Sequence, residues 1–244
     1  MAYLTVENLN KSIDSIHLLK DISFSAEKAT ITLIAGKNGS GKSLLLKCLK
    51  GLEKIDSGKI IIDGKELKKE KERMKFFGLV FQETSLQIVG QTCEKDIAFG
   101  LENQNKPEKE IKEKTEEMLS LFSLQKDRNK NPRILSGGEK RRLAIAGVIA
   151  MESKIILLDE PLANLDYPSV LIVLQTILRL KEEGYTLLVV SHEAEKFLAL
   201  TDYTIIINNG EIISKGSSRE MVESLRDNMI YLPPLSFEDF SWLK

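Results

Sequence analysis

An eight-residue segment, Gly36-Lys37-Asn38-Gly39-Ser40-Gly41-Lys42-Ser43, carries the phosphate-binding pattern G-x-x-x-x-G-K-[ST]. Glycines let the backbone turn tightly and point successive N–H groups at one anion. We therefore predict that this segment binds a polyphosphate, with Lys42 bridging the β- and γ-phosphates. The Ser43 hydroxyl is predicted to be a ligand of Mg²⁺, and the next residue, Leu44, is included in the predicted nucleotide contact.

The residues around this loop predict the order strand, loop, helix that the pattern needs. Ile31–Ala35 reads as a buried strand, and the apolar residues between Leu44 and Leu49 continue as a helix. The positive end of that helix dipole would favour a bound anion. A glycine-rich turn that fits the pattern by chance is not expected to have both neighbours.

Three further apolar runs end in polar residues that could do chemistry. These runs end at Gln82, at Asp159-Glu160 and at Ser191-His192. Strands buried on both faces and separated by helices indicate a parallel α/β sheet, which binds ligands beyond the carboxyl ends of its strands. We therefore expect these polar residues to lie beside the glycine-rich loop.

The whole chain predicts one α/β domain over residues 1–244. Its nucleotide-binding core is expected in residues 1–81 and 151–218, an inserted α-helical subdomain in 82–150, and a short C-terminal tail in 219–244. An antiparallel β edge is predicted from Tyr3–Leu9 and Leu18–Phe24. The mixed-charge run Lys65–Lys75 predicts a solvated helical face or a loop.

Composition excludes several classes of protein. Apolar residues make up 42% and charged residues 29% of the chain, which is typical of a folded globular protein. The net charge of −1 offers no electrostatic footprint for nucleic acid, so no nucleic-acid partner is expected. Cys48 and Cys93 lack the spacing of a zinc or redox site. No signal peptide or bilayer-length apolar run is visible, so we expect any membrane-spanning part to come from other chains.

Five features follow the loop in a fixed order, and together they resemble those of one family. They are Gln82, Leu135-Ser136-Gly137-Gly138-Glu139, Asp159-Glu160, Asn164-Leu165-Asp166 and His192. The set is similar to that of the ATP-binding cassette (ABC) ATPases, and the resemblance covers nearly the whole chain. It implies a P-loop NTPase core that binds and hydrolyses ATP with Mg²⁺.

The resemblance also implies roles for the polar residues at the predicted strand ends. Asp159 would hold Mg²⁺, directly or through water, and Glu160 would polarise the attacking water. Gln82 would touch both the metal ion and that water. His192 would donate a hydrogen bond to the γ-phosphate.

A second anion site is implied at Ser136, Gly137 and Gly138, which open a helix. In the family, this segment of one cassette covers the ATP held by the glycine-rich loop of another. The implied partner is therefore a second ABC ATPase, identical or paralogous, and Asp166 would reach across the joint. A monomer should be a poor ATPase.

The chain departs from the family where an aromatic residue usually stacks on adenine. The expected position falls near Lys11-Ser12-Ile13, which holds no aromatic residue. Stacking worth about 1–3 kcal/mol is then missing or replaced by an aliphatic contact. We predict comparable affinities for ATP and GTP.

The segment after Gln82 resembles that of the ATPases of energy-coupling factor importers, which take up vitamins or cobalt and nickel ions. Gln87-Ile88-Val89 and Asp96–Gly100 carry this likeness. It implies a transmembrane coupling protein and a substrate-binding membrane protein as partners, with the chain held peripherally at the cytoplasmic face of the membrane. Ile88 and Val89 are predicted to line a groove for the partner's helix, with Glu94 or Asp96 meeting an arginine on it.

Two alternatives to this function stay open from the sequence. The chain could serve another branch of ABC transporters, or it could be a soluble ABC protein acting outside transport. Its tail is shorter than in many energy-coupling factor ATPases, so dimer contacts without nucleotide are expected to be weak.

Overall fold

The computed structural model describes residues 2–243. Within this range the strands are β1 Leu4–Ile13, β2 Ile16–Ala26, β3 Ile31–Ala35, β4 Ser57–Ile62, β5 Lys65–Glu66, β6 Phe77–Val80, β7 Ile155–Asp159, β8 Thr186–Val190, β9 Tyr203–Asn208 and β10 Glu211–Ser217. The α-helices are α1 Lys42–Lys50, α2 Glu70–Phe76, α3 Cys93–Asn103, α4 Glu108–Leu121, α5 Gly137–Ala150, α6 Tyr167–Glu182, α7 Ala194–Phe197 and α8 Val222–Asp227.

The larger sheet has the order β10-β9-β3-β8-β7-β6. Its strands β9, β3, β8, β7 and β6 are parallel, and only β10 pairs antiparallel, joined to β9 by the turn at Asn209-Gly210. All residues of β3, β7 and β8 are buried, as their unbroken apolar runs predict. The carboxyl ends of β3, β6, β7 and β8 therefore meet at one edge of the sheet. The predicted α/β fold with a parallel core sheet is confirmed.

The smaller sheet is the predicted antiparallel edge, with the order β2-β1-β4-β5. Its first hairpin is longer than predicted, because β1 and β2 are joined by only Asp14 and Ser15, whose φ angles are 48° and 64°. Polar side chains extend both strands beyond the apolar residues that the prediction used.

The charged run at Lys65–Lys75 corrects one expectation. It forms the short strand β5 and then α2, and within α2 the side chain of Arg73 is only 1% exposed. Burial lowers the pKa of Arg73, and Glu70 at 3.4 Å partly offsets this effect. The run is thus not wholly solvated.

Residues 82–150 contain helices and 3₁₀ turns but no strand. Apolar side chains of α3, α4 and α5 join those of β3, β7 and β8 in one continuous core. The subdomain boundaries stay a prediction. Across residues 2–243, the helices are all too short or too polar to cross a bilayer.

Candidate active site

A cavity of about 470 Å³ opens at the carboxyl edge of the parallel sheet. It brings together residues that the sequence separates by more than a hundred positions. Its lining includes Leu18, Asn38, Gly39, Gly41, Lys42, Ser43, Leu44, Gln82, Glu160 and His192. The structure thus places the glycine-rich loop beside three of the predicted catalytic residues.

The glycine-rich loop needs glycine at its start for steric reasons. Gly36 has a φ of 150°, and a Cβ there would lie 2.2 Å from the carbonyl oxygen of Ile207 on β9. Gly41, with a φ of 104°, ends the loop and precedes the first turn of α1. The loop therefore lies directly against β9, with the N-terminus of α1 behind it.

Lys42 is folded back along the loop. Its Nζ donates to the carbonyl oxygens of Gly36 at 2.7 Å and Lys37 at 2.8 Å. Burial lowers the pKa of Lys42, while the nearby carboxylates of Glu160 and Asp159 raise it in part. A buried ammonium group at this place is suited to an incoming phosphate.

The side-chain oxygens of Ser43 and Asp159 lie together beneath the cavity and are candidate metal ligands. The Ser43 hydroxyl donates to Asp159 Oδ1 at 2.9 Å. Burial raises the pKa of Asp159, the Ser43 hydrogen bond opposes this, and neighbouring Glu160 adds to the rise. A hydroxyl, a carboxylate and the nearby Gln82 amide are hard oxygen ligands that suit Mg²⁺ when water and phosphate complete the shell. No group of three or more His, Cys, Asp or Glu residues able to hold a metal ion occurs within residues 2–243.

Glu160 is held by several donors in a backbone conformation that is uncommon for its residue type. Its φ is 46°, and its N–H donates to Val190 of β8 at 2.9 Å. Its carboxylate accepts from the Ser191 hydroxyl at 3.2 Å and from the His192 N–H at 3.1 Å. His192 Nδ1 lies 3.0 Å from Glu160 Oε2. The acid and the imidazole thus stand side by side at the cavity wall.

Ser136 and Asp166 lie apart from this cavity, at the starts of two neighbouring helices. Ser136 Oγ accepts from the Glu139 N–H at 3.3 Å to cap α5, and Asp166 Oδ1 accepts from the Ser169 N–H at 3.2 Å to cap α6. A Cβ on Gly138 would lie 2.4 Å from Ser169 Oγ, so the two helix ends are in close contact. Ser136, Gly137, Gly138 and Asp166 are absent from the cavity lining.

Some site features were not predicted from sequence. Ser191 was expected beside the loop because it stands at a strand end before His192, but its role was not predicted: its hydroxyl donates to the Glu160 carboxylate at 3.2 Å. Leu18 lines the cavity, whereas the contact with adenine was predicted near Lys11-Ser12-Ile13. Gly36 and Lys37 border a separate small cavity beside Met229, and Ser40 is buried at 5% exposure.

The two acidic residues that were predicted to meet a partner's arginine have partners within the chain. Asp96 Oδ1 accepts from the backbone N–H groups of Val89 at 2.8 Å and Gly90 at 2.7 Å. Glu94 accepts from Arg128 at 2.7 Å. Asp96 therefore fixes the shape of the segment after Gln82.

The sequence of the chain is similar to those of known ABC transporter ATPases. The sequence profile of the family described as ABC transporter matches residues 19–163. The energy-coupling factor transporter ATP-binding protein EcfA of Methanoculleus marisnigri is 36% identical over 90% of this chain and 82% of its own. The corresponding EcfA1 of Thermotoga maritima is 38% identical over 93% of this chain and 86% of its own.

A solved structure is also similar. It is cbiO1 of Clostridium perfringens, described as part of the ABC transporter complex cbiONQ, with a TM-score of 0.84 and 31% identity over 95% of this chain and 96% of that one. The chain therefore belongs to the ABC transporter family, as an ATPase subunit of the energy-coupling factor type.

Proposed function

We propose that two cassettes, this chain and a second copy or a paralogue, close on ATP and Mg²⁺ and that this closure drives uptake of a vitamin or a transition-metal ion. One observation carries the proposal. The glycine-rich loop and the helix start at Ser136 are each suited to bind an anion, yet only the loop lines the cavity. The Ser136 segment of the facing cassette then contacts the phosphates that the loop of this chain binds.

In this proposal each side of the cavity has a separate task. Lys42 and the loop N–H groups bind the β- and γ-phosphates, while Ser43, Asp159 and Gln82 hold Mg²⁺. The ion, when bound, neutralises charge on the phosphates. Glu160, whose carboxylate accepts hydrogen bonds from the Ser191 hydroxyl and the His192 backbone N–H, accepts the proton of the attacking water.

The imidazole of His192 completes the site next to the γ-phosphate. Its side chain is 48% exposed, whereas that of Glu160 is 8% exposed. The histidine can therefore reach a ligand from the cavity wall while its Nδ1 stays at Glu160. In the same proposal Asp166, at the start of α6, meets the facing cassette.

A docking surface for the transmembrane coupling protein is proposed beside Gln82. Leu86, Val89 and Phe99 are 82%, 57% and 46% exposed, and they belong to the segment after β6 and to α3. Ile88, by contrast, packs against the core. Gln87 ties this segment to β6, since its Oε1 accepts from the Phe81 N–H at 3.1 Å and its Nε2 donates to the Leu79 carbonyl at 3.2 Å.

Such a rigid, exposed apolar surface suits a helix of a membrane partner. A substrate-binding membrane protein completes the proposed importer, and the cassette is peripheral at the cytoplasmic face. The substrate itself touches other chains.

The test is Glu160→Gln, which removes the general base and keeps the size of the side chain. We expect hydrolysis to fall by about 10²–10⁴-fold while MgATP converts the protein to a dimer, measured by phosphate release and by light scattering after size exclusion. Glu182→Gln makes the same chemical change at an exposed position of α6 and should behave as wild type. A Glu160→Gln protein that, with MgATP, pairs with neither a second copy nor a paralogous cassette, or that hydrolyses at the wild-type rate, refutes the proposal.

A further inference from the structure

The indole of Trp242, near the end of the chain, lies between two segments that carry predicted site residues. Its ring centroid is 5.8 Å from that of Tyr167, the residue directly after Asp166. On another side, Lys196 Nζ lies 5.3 Å from the indole centroid, within cation–π distance. Trp242 therefore contacts the start of α6 and the helix α7 at the same time.

The second contact leads back to the catalytic histidine. Lys196 also pairs with Glu193, the residue after His192, and the side chain of this lysine is only 15% exposed. The backbone N–H of Glu193 in turn donates to Ser191 Oγ at 3.0 Å, and Ser191 donates to Glu160. A chain of direct contacts thus runs from the indole to the general base.

The preceding residues of the tail hold the indole in place. Phe240 is 3% exposed and belongs to the main core, and Trp242 packs against that core. Arg219 forms an ion pair with Glu238 at 2.5 Å and lies 5.0 Å from the ring of Phe237. The tail is thus anchored before it reaches Tyr167.

We propose that Trp242 is a positioning residue that ties the segment carrying Asp166 to the segment carrying His192. This inference rests on the proposed function, because both segments act when two cassettes close on ATP. Tyr167 stays 61% exposed and has no deep packing of its own, so the indole is its principal aromatic support. Loss of the indole frees the α6 start and the His192 segment to move separately, which lowers the rate of hydrolysis and leaves the loop that binds ATP unchanged.

The test uses the full chain and compares kcat with KM for ATP. Trp242→Ala and Tyr167→Ala should each lower kcat by roughly 3- to 30-fold, with little change in KM. The double variant should be no slower than the slower single variant, because both changes break one contact. Trp242→Phe keeps an aromatic ring and should recover most of kcat. Tyr231→Ala, a change at a 70% exposed tail position, is the matched control and should be neutral.

Fluorescence gives a second measurement, since Trp242 is the only tryptophan in the sequence. Tyr167→Ala should shift its emission to longer wavelength, because the indole becomes more accessible to water. The inference is overturned if the emission does not change, if Trp242→Ala keeps the wild-type kcat, or if the two single effects add. Failure of Glu160→Gln to dimerise overturns the proposed function instead, so the two failures are distinguishable.

Discussion

The predicted adenine position, near Lys11-Ser12-Ile13, holds no aromatic residue, so base recognition can be tested directly with Ile13→Tyr. Ile13 and Ile16 face each other at the end of the β1–β2 hairpin and are 40% and 63% exposed. Leu18, two residues further along β2, lines the cavity, so this hairpin stands at its rim. Aliphatic contact with a base gains about 25 cal/mol per Å² and does not read the base edges.

The expected size of the effect follows from the stacking energy. A tyrosine ring at position 13 can stack on the base, which is worth about 1–3 kcal/mol, or roughly a 5- to 150-fold gain in affinity. Every base has a π-face, so ATP and GTP should both gain. In the wild type the two nucleotides should differ by less than about fivefold, the equivalent of about 1 kcal/mol.

The assay is calorimetric titration of each variant with MgATP and MgGTP. His17→Tyr is the matched control, because it adds the same ring one residue from Ile16, on the opposite face of the strand. It should leave both affinities unchanged. A strong wild-type preference for ATP would refute the aliphatic contact, and an equal gain in both tyrosine variants would refute the position assigned to the base.

The remaining predictions concern the partner surface and the buried thiols. Leu86→Ser should abolish co-purification with the transmembrane coupling protein. Leu52→Ser, the control at a 46% exposed residue after α1, should not. If both variants still co-purify with that protein, the proposed docking surface is wrong. Burial raises the pKa of Cys48 to about 12 and that of Cys93 to about 11. At pH 8 their thiolate fractions are therefore about 10⁻⁴ and 10⁻³. A thiol reagent should label both cysteines only in denaturant. Fast labelling of the native protein at pH 8 would show that these thiols are accessible. The free energy of unfolding should fall as the pH rises above 9.0, because there the thiols ionise in the unfolded state but not in the folded state.

The parallel core could be predicted closely because its signal is local. Ile31–Ala35 is a strand with the predicted bounds, and Thr186–Val190 is the strand expected from the apolar run before Ser191, since burial on both faces requires an unbroken apolar run. Gln82, Glu160 and His192 could be predicted to lie together for the same reason, because each comes after such a run, and all three line the cavity. Lys42 was predicted from the spacing and residue types of the glycine-rich loop, and it lines the same cavity.

What the sequence could not predict depends on contacts between distant residues. Arg73 lies in a charged run, and nothing local indicates that its side chain is buried against α1. Asp96 and Glu94 are acidic residues near a helix start, which fits either a partner contact or a structural one. Only the fold shows that Asp96 holds the N–H groups of Val89 and Gly90 and that Glu94 meets Arg128.

The contacts within one chain already assemble one part of the predicted machinery, and in the proposed function the other part depends on a second chain. Ser43, in the first turn of α1, meets Asp159 at the end of β7, and Glu160 meets His192, because β3, β7 and β8 are paired in one sheet and deliver these segments to the same edge. Rigid pairing fixes these distances without a ligand, which is the preorganisation that hydrolysis needs. Ser136 is fixed as the cap of α5, whose start contacts α6 where Gly138 meets Ser169. In the proposed function it therefore reaches phosphate as part of the facing cassette. The rate of hydrolysis should therefore depend on how well two rigid surfaces meet, and residues such as Trp242 that set the orientation of the α6 start acquire an effect on catalysis without touching ATP.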